Sequence, residues 1–166
     1  MAVGDLIGAA VGVILLVIVA YLLVGSVLST AQIVTNAQKS ATLLEEQQLK
    51  TDFTIGQAEV DATGINCTIT NTGNEPISDF SQMDVYVYDN STGNYQVYRY
   101  VSSTSGTFGT GTWTTYTTGN DYIHSGELDP SETLGILVAI PWTTDPSPAR
   151  IQITTANAVS ASTDLP

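Results

Sequence analysis

Few residues in this chain have the side chains that catalysis usually needs. It has one histidine, His124, and one cysteine, Cys67, so a Cys–His or Ser–His–Asp site would have to be built around His124. It has no phosphate-binding GxxxxGK[ST] motif, no nucleophile elbow and no His/Cys cluster with zinc spacing. Cys67 stands between Ile65 and Ile69 in a period of two, which favours a small buried side chain over a reactive thiol. We therefore expect a protein that is not an enzyme and needs no cofactor.

Acidic residues near His124 are the candidate ligands for a metal ion. Calcium takes about six to eight oxygen ligands, and carboxylates supply them readily. The carboxylates that a fold would have to bring together are Asp121, Glu127, Asp129 and Glu132. Their spacing matches no defined calcium loop, so a solvated acidic turn is the competing interpretation.

Two glycosylation sequons are present, Asn66-Cys67-Thr68 and Asn90-Ser91-Thr92. The first lies in a predicted strand. The second lies in a run of turn-forming residues, where a bulky glycan is sterically easy. Asn90 is therefore the better candidate and Asn66 the weaker one.

The charge is concentrated in the second part of the chain. The formal net charge is −12. Residues 1–50 carry three acids and two lysines, a net of −1, so −11 remains after Thr51, where Arg99 and Arg150 are the only Lys or Arg residues. Such an acidic domain is repelled by phosphate backbones. Nucleic-acid binding is therefore excluded as an expected function.

The element that precedes this acidic part is a long apolar segment. No charged residue occurs from Leu6 to Gln38, and Leu6–Leu28 is almost wholly apolar. About 20 such residues cross the ~30 Å hydrocarbon core of a bilayer as a helix. The run is too long for the apolar core of a signal peptide, so we expect it to be retained. The helical pattern continues, which predicts one helix from about Leu6 to about Gln48, with Gly25-Ser26 as the preferred place for a bend.

Small residues repeat along one face of this helix. Gly4, Gly8 and Gly12 recur at four-residue spacing, which lets two helix backbones approach closely. The competing interpretation is that glycine is simply common in membrane helices.

After Thr51 the apolar period changes to two, which is typical of half-buried strands. Turn-forming clusters separate these segments. The predicted strands are centred on Phe53-Ile55, Ile65–Ile69, Met83–Val87, Tyr95-Val97, Leu134–Ile140 and Ile151–Ile153. About seven short strands with this spacing indicate an antiparallel immunoglobulin-like β-sandwich, so the fold class is α+β. We place the domains at 1–50 for the helix and 51–166 for the sandwich.

Tyrosines alternate with apolar residues in two consecutive predicted strands. If the strands pair as a hairpin around Asp89–Asn94, we expect these rings to share the face opposite the core and to form a contact surface for a neighbouring subunit or a glycan. The residues are Tyr86, Tyr88, Tyr98 and Tyr100. Solvated tyrosines with ordinary strand propensity are the competing interpretation.

This arrangement resembles the type IV pilin-like proteins of archaea, in particular archaellins and the archaellum accessory proteins F and G. The residues that carry the resemblance are the start Met1–Leu6 with Asp5 at the family's acidic position, and the segments Ile69–Ile77, Met83–Val87 and Ile153–Ser162. In such filaments the helices pack into a central bundle and the sandwiches face outward. The resemblance implies that Asp5 pairs with the α-amino group of a neighbouring Met1, which would neutralise a carboxylate that is costly to bury alone.

The expected function is a structural subunit of an extracellular archaeal filament, an archaellum or a type IV-like pilus. The expected partners are other copies of the chain or related subunits, the membrane before assembly and proteins of the cell envelope. The alternative is a permanently membrane-anchored archaellum accessory or stator protein, or a single-pass surface protein with a binding domain.

Overall fold

The computed structural model of the chain describes residues 2–102, 109–117, 123–141 and 147–166. Contacts divide the chain into two compact units, Met1–Leu44 and Glu45–Pro166. The first unit holds most of the N-terminal helix. The second holds the last six residues of that helix and all of the strands, so the end of the helix belongs to the same unit as the sheet.

The helix α1 runs from Ala2 to Lys50 without interruption. It is 49 residues long, or ~74 Å at 1.5 Å per residue. It contains no proline, and its many Ala, Leu, Val and Ile residues tolerate or favour the helical state. The helix therefore begins earlier and ends slightly later than the sequence predicts, and Gly25-Ser26 is helical.

Eight strands and one short 3₁₀-helix, Phe80–Gln82, follow the helix. The strands are β1 Phe53–Asp61, β2 Gly64–Asn71, β3 Asp84–Asp89, β4 Asn94–Tyr100, β5 Thr112–Thr117, β6 Thr133–Val138, β7 Pro148–Thr154 and β8 Ser160–Asp164.

The strands pair in the order β1-β2-β6-β5-β4-β3-β7-β8. The order divides into two antiparallel groups, β1-β2-β6-β5 and β4-β3-β7-β8. A short parallel pairing of β4 with β5, at Arg99 and Tyr100, joins the two groups. At the other end β1 contacts β8. This sandwich, closed towards a barrel, confirms the predicted α+β class; the parallel β4–β5 pair departs from the all-antiparallel expectation.

The core consists of the inward side chains of both groups. Because successive side chains in a strand point to opposite faces, every second residue is buried. The fully buried side chains include Ile65, Ile69, Val85, Trp113, Ile136, Val138, Ile151 and Ile153. The rings of Tyr100 and Trp113 pack edge to face with 4.8 Å between their centroids, which ties β4 to β5 at the border of the core.

A buried amide holds one end of the sandwich together. Asn71, at the end of β2, is 0% exposed. Its Nδ2 donates to the carbonyl oxygens of Glu75 and Leu128, both at 2.8 Å, and its Oδ1 accepts from the Gly73 N–H at 2.9 Å. Its backbone also bonds to Glu132 and Ser131. A single buried side chain therefore satisfies backbone groups of two loops.

We predict that Asn71→Ala destabilises the protein by about 3 kcal/mol, because it leaves the partners of one amide unsatisfied. The measurement is the free energy of unfolding of the detergent-solubilised full chain, followed by tryptophan fluorescence. Asn74→Ala is the control, because exposed Asn74 bonds to Lys50 through its backbone N–H, which alanine retains. Equal stabilities of the two variants would contradict the assigned role.

Candidate functional site

The helix of the first unit is exposed on every face, and from Leu6 to Leu28 that surface is almost wholly apolar. All residues from Val3 to Leu44 are exposed, and the large hydrophobic side chains among them include neighbours such as Leu15, Leu16 and Val17 that point in different directions. The helix Val3–Lys50 is long and apolar enough to cross a membrane, by length and composition.

The glycines of this helix have open space beside them. A Cβ added at Gly4, Gly8 or Gly12 would meet nothing within 4 Å among the residues that the structure describes. No contact between described residues therefore requires a glycine at these positions. Asp5 lies in the first turn, where a carboxylate interacts favourably with the helix dipole. Met1, its expected partner in a neighbouring copy, lies outside the described residues.

The end of the helix is bonded into the sheet domain through Asn157. The Asn157 Nδ2 donates to the Thr51 hydroxyl at 2.7 Å, and the backbone carbonyl oxygen of Asn157 accepts from the Gln48 Nε2 at 2.8 Å. Thr51 in turn bonds back to the Gln47 carbonyl through both its N–H and its hydroxyl. These contacts link the last helical turn to the turn between β7 and β8.

A second set of hydrogen bonds joins the end of α1 to the turn after β2. The Asn74 N–H donates to the Lys50 carbonyl at 2.8 Å, and the Gly73 N–H donates to the Asp52 carbonyl at 2.9 Å. A Cβ at Gly73 would lie 2.5 Å from backbone atoms of Lys50 and Asp52, so only glycine fits. Lys50 also pairs with Glu46 at 2.7 Å and Glu75 at 3.6 Å.

The sequence does not identify Asn157 and Gly73 as residues that join the helix to the sheet domain. Both are turn-type residues between strands, a signal that predicts a turn but not its partner. The residues they contact are remote in sequence: Asn157 lies 106 positions from Thr51. Only the folded chain brings them together.

The tyrosines do not share one face. Tyr98 is 3% exposed and belongs to the core, whereas Val97 is 61% exposed. The predicted hairpin is present, with Asp89 opposite Asn94, but Tyr88 faces Tyr95 across it and Tyr86 faces Val97. The prediction of a common outer face is therefore wrong for Tyr98 and for Tyr100, which packs on Trp113. The buried ring of Tyr98 and the partly buried ring of Tyr100 fill more of the core than Val97 would, and this sets the phase of β4.

The two sequon asparagines lie in different surroundings. Asn90 is exposed in the β3–β4 turn, whereas Asn66 is half-buried in the central strand β2. The Tyr116 hydroxyl donates to the Asn66 side chain. The ring of Tyr116 lies over Gly135, where a Cβ would overlap it. Glycan attachment stays a prediction, and the surroundings favour Asn90.

The turn that carries Asn90 is organised by a buried carboxylate. Asp89 is 5% exposed. It accepts from the N–H groups of Ser91 and Ser147, each at 3.0 Å, and from the hydroxyls of Ser91 and Thr92. Burial acts to raise the pKa of Asp89, but the hydrogen bonds from Ser147, Ser91 and Thr92 outweigh it and hold the pKa below its ordinary value.

The acidic residues near His124 form a bonded loop. Ligand atoms of His124, Glu127 and Asp129 lie within 4.8 Å of one another. The buried Asp129 carboxylate accepts from the His124 N–H at 3.1 Å, and Glu132 accepts from the Asp129 N–H at 3.1 Å. Asp121 lies outside the described residues. A calcium site stays a prediction; the bonds that are described close the loop on itself.

Cys67 is a core residue, as its period of two predicts. It is 1% exposed, and burial raises its pKa to about 12. A thiol with so high a pKa is a poor nucleophile at neutral pH.

We predict that Asp89→Asn destabilises the full chain by about 2 kcal/mol at pH 7, because the charged hydrogen bonds are weakened. A carboxyl with a lowered pKa contributes stability above its ordinary pKa of about 4 and loses it as the pH falls towards the folded-state value. The difference from the wild type should therefore shrink at about pH 3. Asp84→Asn, an exposed change of equal charge on the same strand, is the control for denaturation at both pH values. A difference that is independent of pH would contradict this role of Asp89.

The chain matches a family model, and the solved structures similar to it include two from the archaellum. The family model for archaeal-type flagellin matches residues 2–165. No curated protein matches the chain significantly. The archaellum periplasmic stator protein FlaG from Sulfolobus acidocaldarius is 24% identical with a TM-score of 0.49, and the match covers 69% of this chain and 98% of that one. The FlaF–FlaG stator complex from the same organism is 24% identical with a TM-score of 0.48, covering 68% and 86%. Because the family match spans nearly the whole chain, the chain belongs to the archaeal-type flagellin family.

Proposed function

We propose that this chain is a structural subunit of an extracellular archaeal filament. Its helix holds it in the membrane before assembly, and the same helix packs against copies of itself or related subunits in the filament. A contact of this kind between two different faces, repeated without closing, generates a helical polymer. The role is structural rather than catalytic, and the site of action is the cell surface.

The observation that carries this proposal is the exposed apolar surface of α1. From Val3 to Leu44 it is exposed on every face, far beyond the few hundred Å² of apolar patch usual on a soluble monomer. Lipid covers such a surface over ~30 Å, whereas the helix is 49 residues long, or ~74 Å. Packing against other helices covers apolar residues that a single bilayer does not reach.

Two further features support assembly over simple anchoring. Gly4, Gly8 and Gly12 leave open space that a second helix backbone fits. Asp5 is a carboxylate beside a strongly apolar segment, and such a group is costly to bury unless a neighbouring copy supplies a counter-charge. A permanent anchor needs neither feature.

We predict that Gly8→Leu blocks filament assembly and leaves membrane insertion intact, because the added side chain separates the helices while the segment stays apolar. The matched control is Ala10→Leu. It adds bulk about 200° around the same helix, away from the glycines. The measurement is the amount of the chain in sheared surface filaments relative to that in the membrane fraction.

The proposal expects Gly8→Leu to accumulate in membranes while Ala10→Leu still forms filaments. Normal filaments from Gly8→Leu, or equal loss in both variants, would remove the glycine face from assembly. A wild-type chain found only in detergent-extracted membranes would instead favour the alternative, an anchored accessory or stator protein.

A further inference from the structure

One outer face of the sandwich differs in charge from the rest of the domain. It consists of the outward residues of β4, β3, β7 and β8, and we call it the neutral face. Its members are Tyr95, Val97, Arg99, Asp84, Tyr86, Tyr88, Arg150, Gln152, Thr154, Ser160, Ser162 and Asp164.

Both arginines of the domain lie on the neutral face. Arg99 and Arg150 are balanced there by Asp84 and Asp164, so these four side chains sum to zero. Residues 52–166 carry 13 acids and two arginines, a net of −11. The whole of that net charge is therefore carried by residues outside the neutral face.

The two arginines differ in whether they form an ion pair. The Arg150 Nε donates to Asp164 at 2.7 Å. Arg99 is exposed, and its side chain forms no ion pair with any residue in the described ranges. Arg99 is thus a cation available to a carboxylate outside its own chain.

Apolar surface accompanies this cation. Tyr95 is 53% and Val97 61% exposed, and the tilted rings of Tyr88 and Tyr95 lie 5.1 Å apart. By alternation, Tyr95, Val97 and Arg99 lie in line along the same side of β4. Exposed aromatic and aliphatic side chains beside an arginine are typical of the residues that contribute most to protein interfaces.

The opposite outer face is acidic. It has no arginine or lysine, because both arginines of the domain lie on the neutral face. Along β1 its outward residues include the exposed carboxylates Glu59 and Asp61. Its aromatic side chain, Tyr116, is used within the chain, because it covers Gly135 and bonds to Asn66. Two acidic faces repel one another, whereas an acidic face and the neutral face do not.

We propose that the neutral face binds the acidic surface of a second copy of this chain, with Arg99 as the attracting charge and Tyr95 and Val97 as the apolar contact. The inference rests on the proposed function, since it supplies the contact between neighbouring domains. It joins two different surfaces, so it repeats along a filament rather than closing into a dimer.

The test places a photo-activated benzophenone amino acid at Val97, and separately at Tyr95, in the full chain made in its own cells. Irradiation should give a covalent dimer of this chain, identified by mass spectrometry of the joined peptides. Arg99→Gln in the same chain should lower the dimer yield about two- to fivefold, the range of an exposed ion pair. Gln57→Glu is the control, because it changes the net charge by the same one unit on the opposite, β1 side and should not lower the yield. Equal denaturation curves show that the variants fold alike.

Three results would overturn this inference: crosslinking to a different protein or to a glycan, absence of a dimer in assembled material, or equal losses in Arg99→Gln and Gln57→Glu. Filaments without the Val97 or Tyr95 dimer contradict the docking face and leave the filament proposal standing. If the chain is found only in membranes but still forms the dimer, the docking face is supported and the filament proposal is contradicted.

Discussion

The rest of the molecule depends on an apolar helix whose side chains are exposed among the residues that the structure describes. Every residue from Val3 to Leu44 is exposed, and each Å² of apolar surface left in water costs about 25 cal/mol. This surface needs lipid or other helices throughout the life of the protein. The chain belongs to the archaeal-type flagellin family, and we propose that lipid and then other helices cover this surface. A Cβ at any of the glycines Gly4, Gly8 and Gly12 would meet no described residue, so we propose that their spacing serves contacts between molecules.

The sheet domain must remain folded while it carries a net charge of −11. It uses buried polar side chains to fix its loops: Asn71 at one end of the sandwich, Asp89 under the β3–β4 turn, and Asn157 at the junction with the last helical turn. Each satisfies several backbone or hydroxyl groups, which is what makes a buried polar group tolerable. Its two arginines lie on one face, and there the acidic domain can meet another copy without repulsion.

Strong periodicity made much of this fold predictable. The long helix and the six apolar strand segments follow from spacing, and so does the burial of Cys67. The sequence does not predict strands β5 and β8, because Thr112–Thr117 and Ser160–Asp164 are rich in Thr and Ser and their alternation carries little hydrophobic contrast. The predicted phase of β4 is wrong, because Val97 and Tyr98 both qualify as inward residues. The packing of Tyr100 on Trp113 decides between them. The roles of Asn157 and Gly73 depend on residues remote in sequence, which local patterns do not connect.

A density map of filaments sheared from cells that make this chain tests the central claim most directly. Its subunits must be identified by sequencing the same material. We predict a core of tightly packed helices built from Ala2–Leu44 of this chain, with Gly4, Gly8 and Gly12 at closest approach between neighbouring backbones. A core built from other chains, with this one left in the membrane fraction, would contradict the claim that the helix exists to be covered by copies of itself or related subunits.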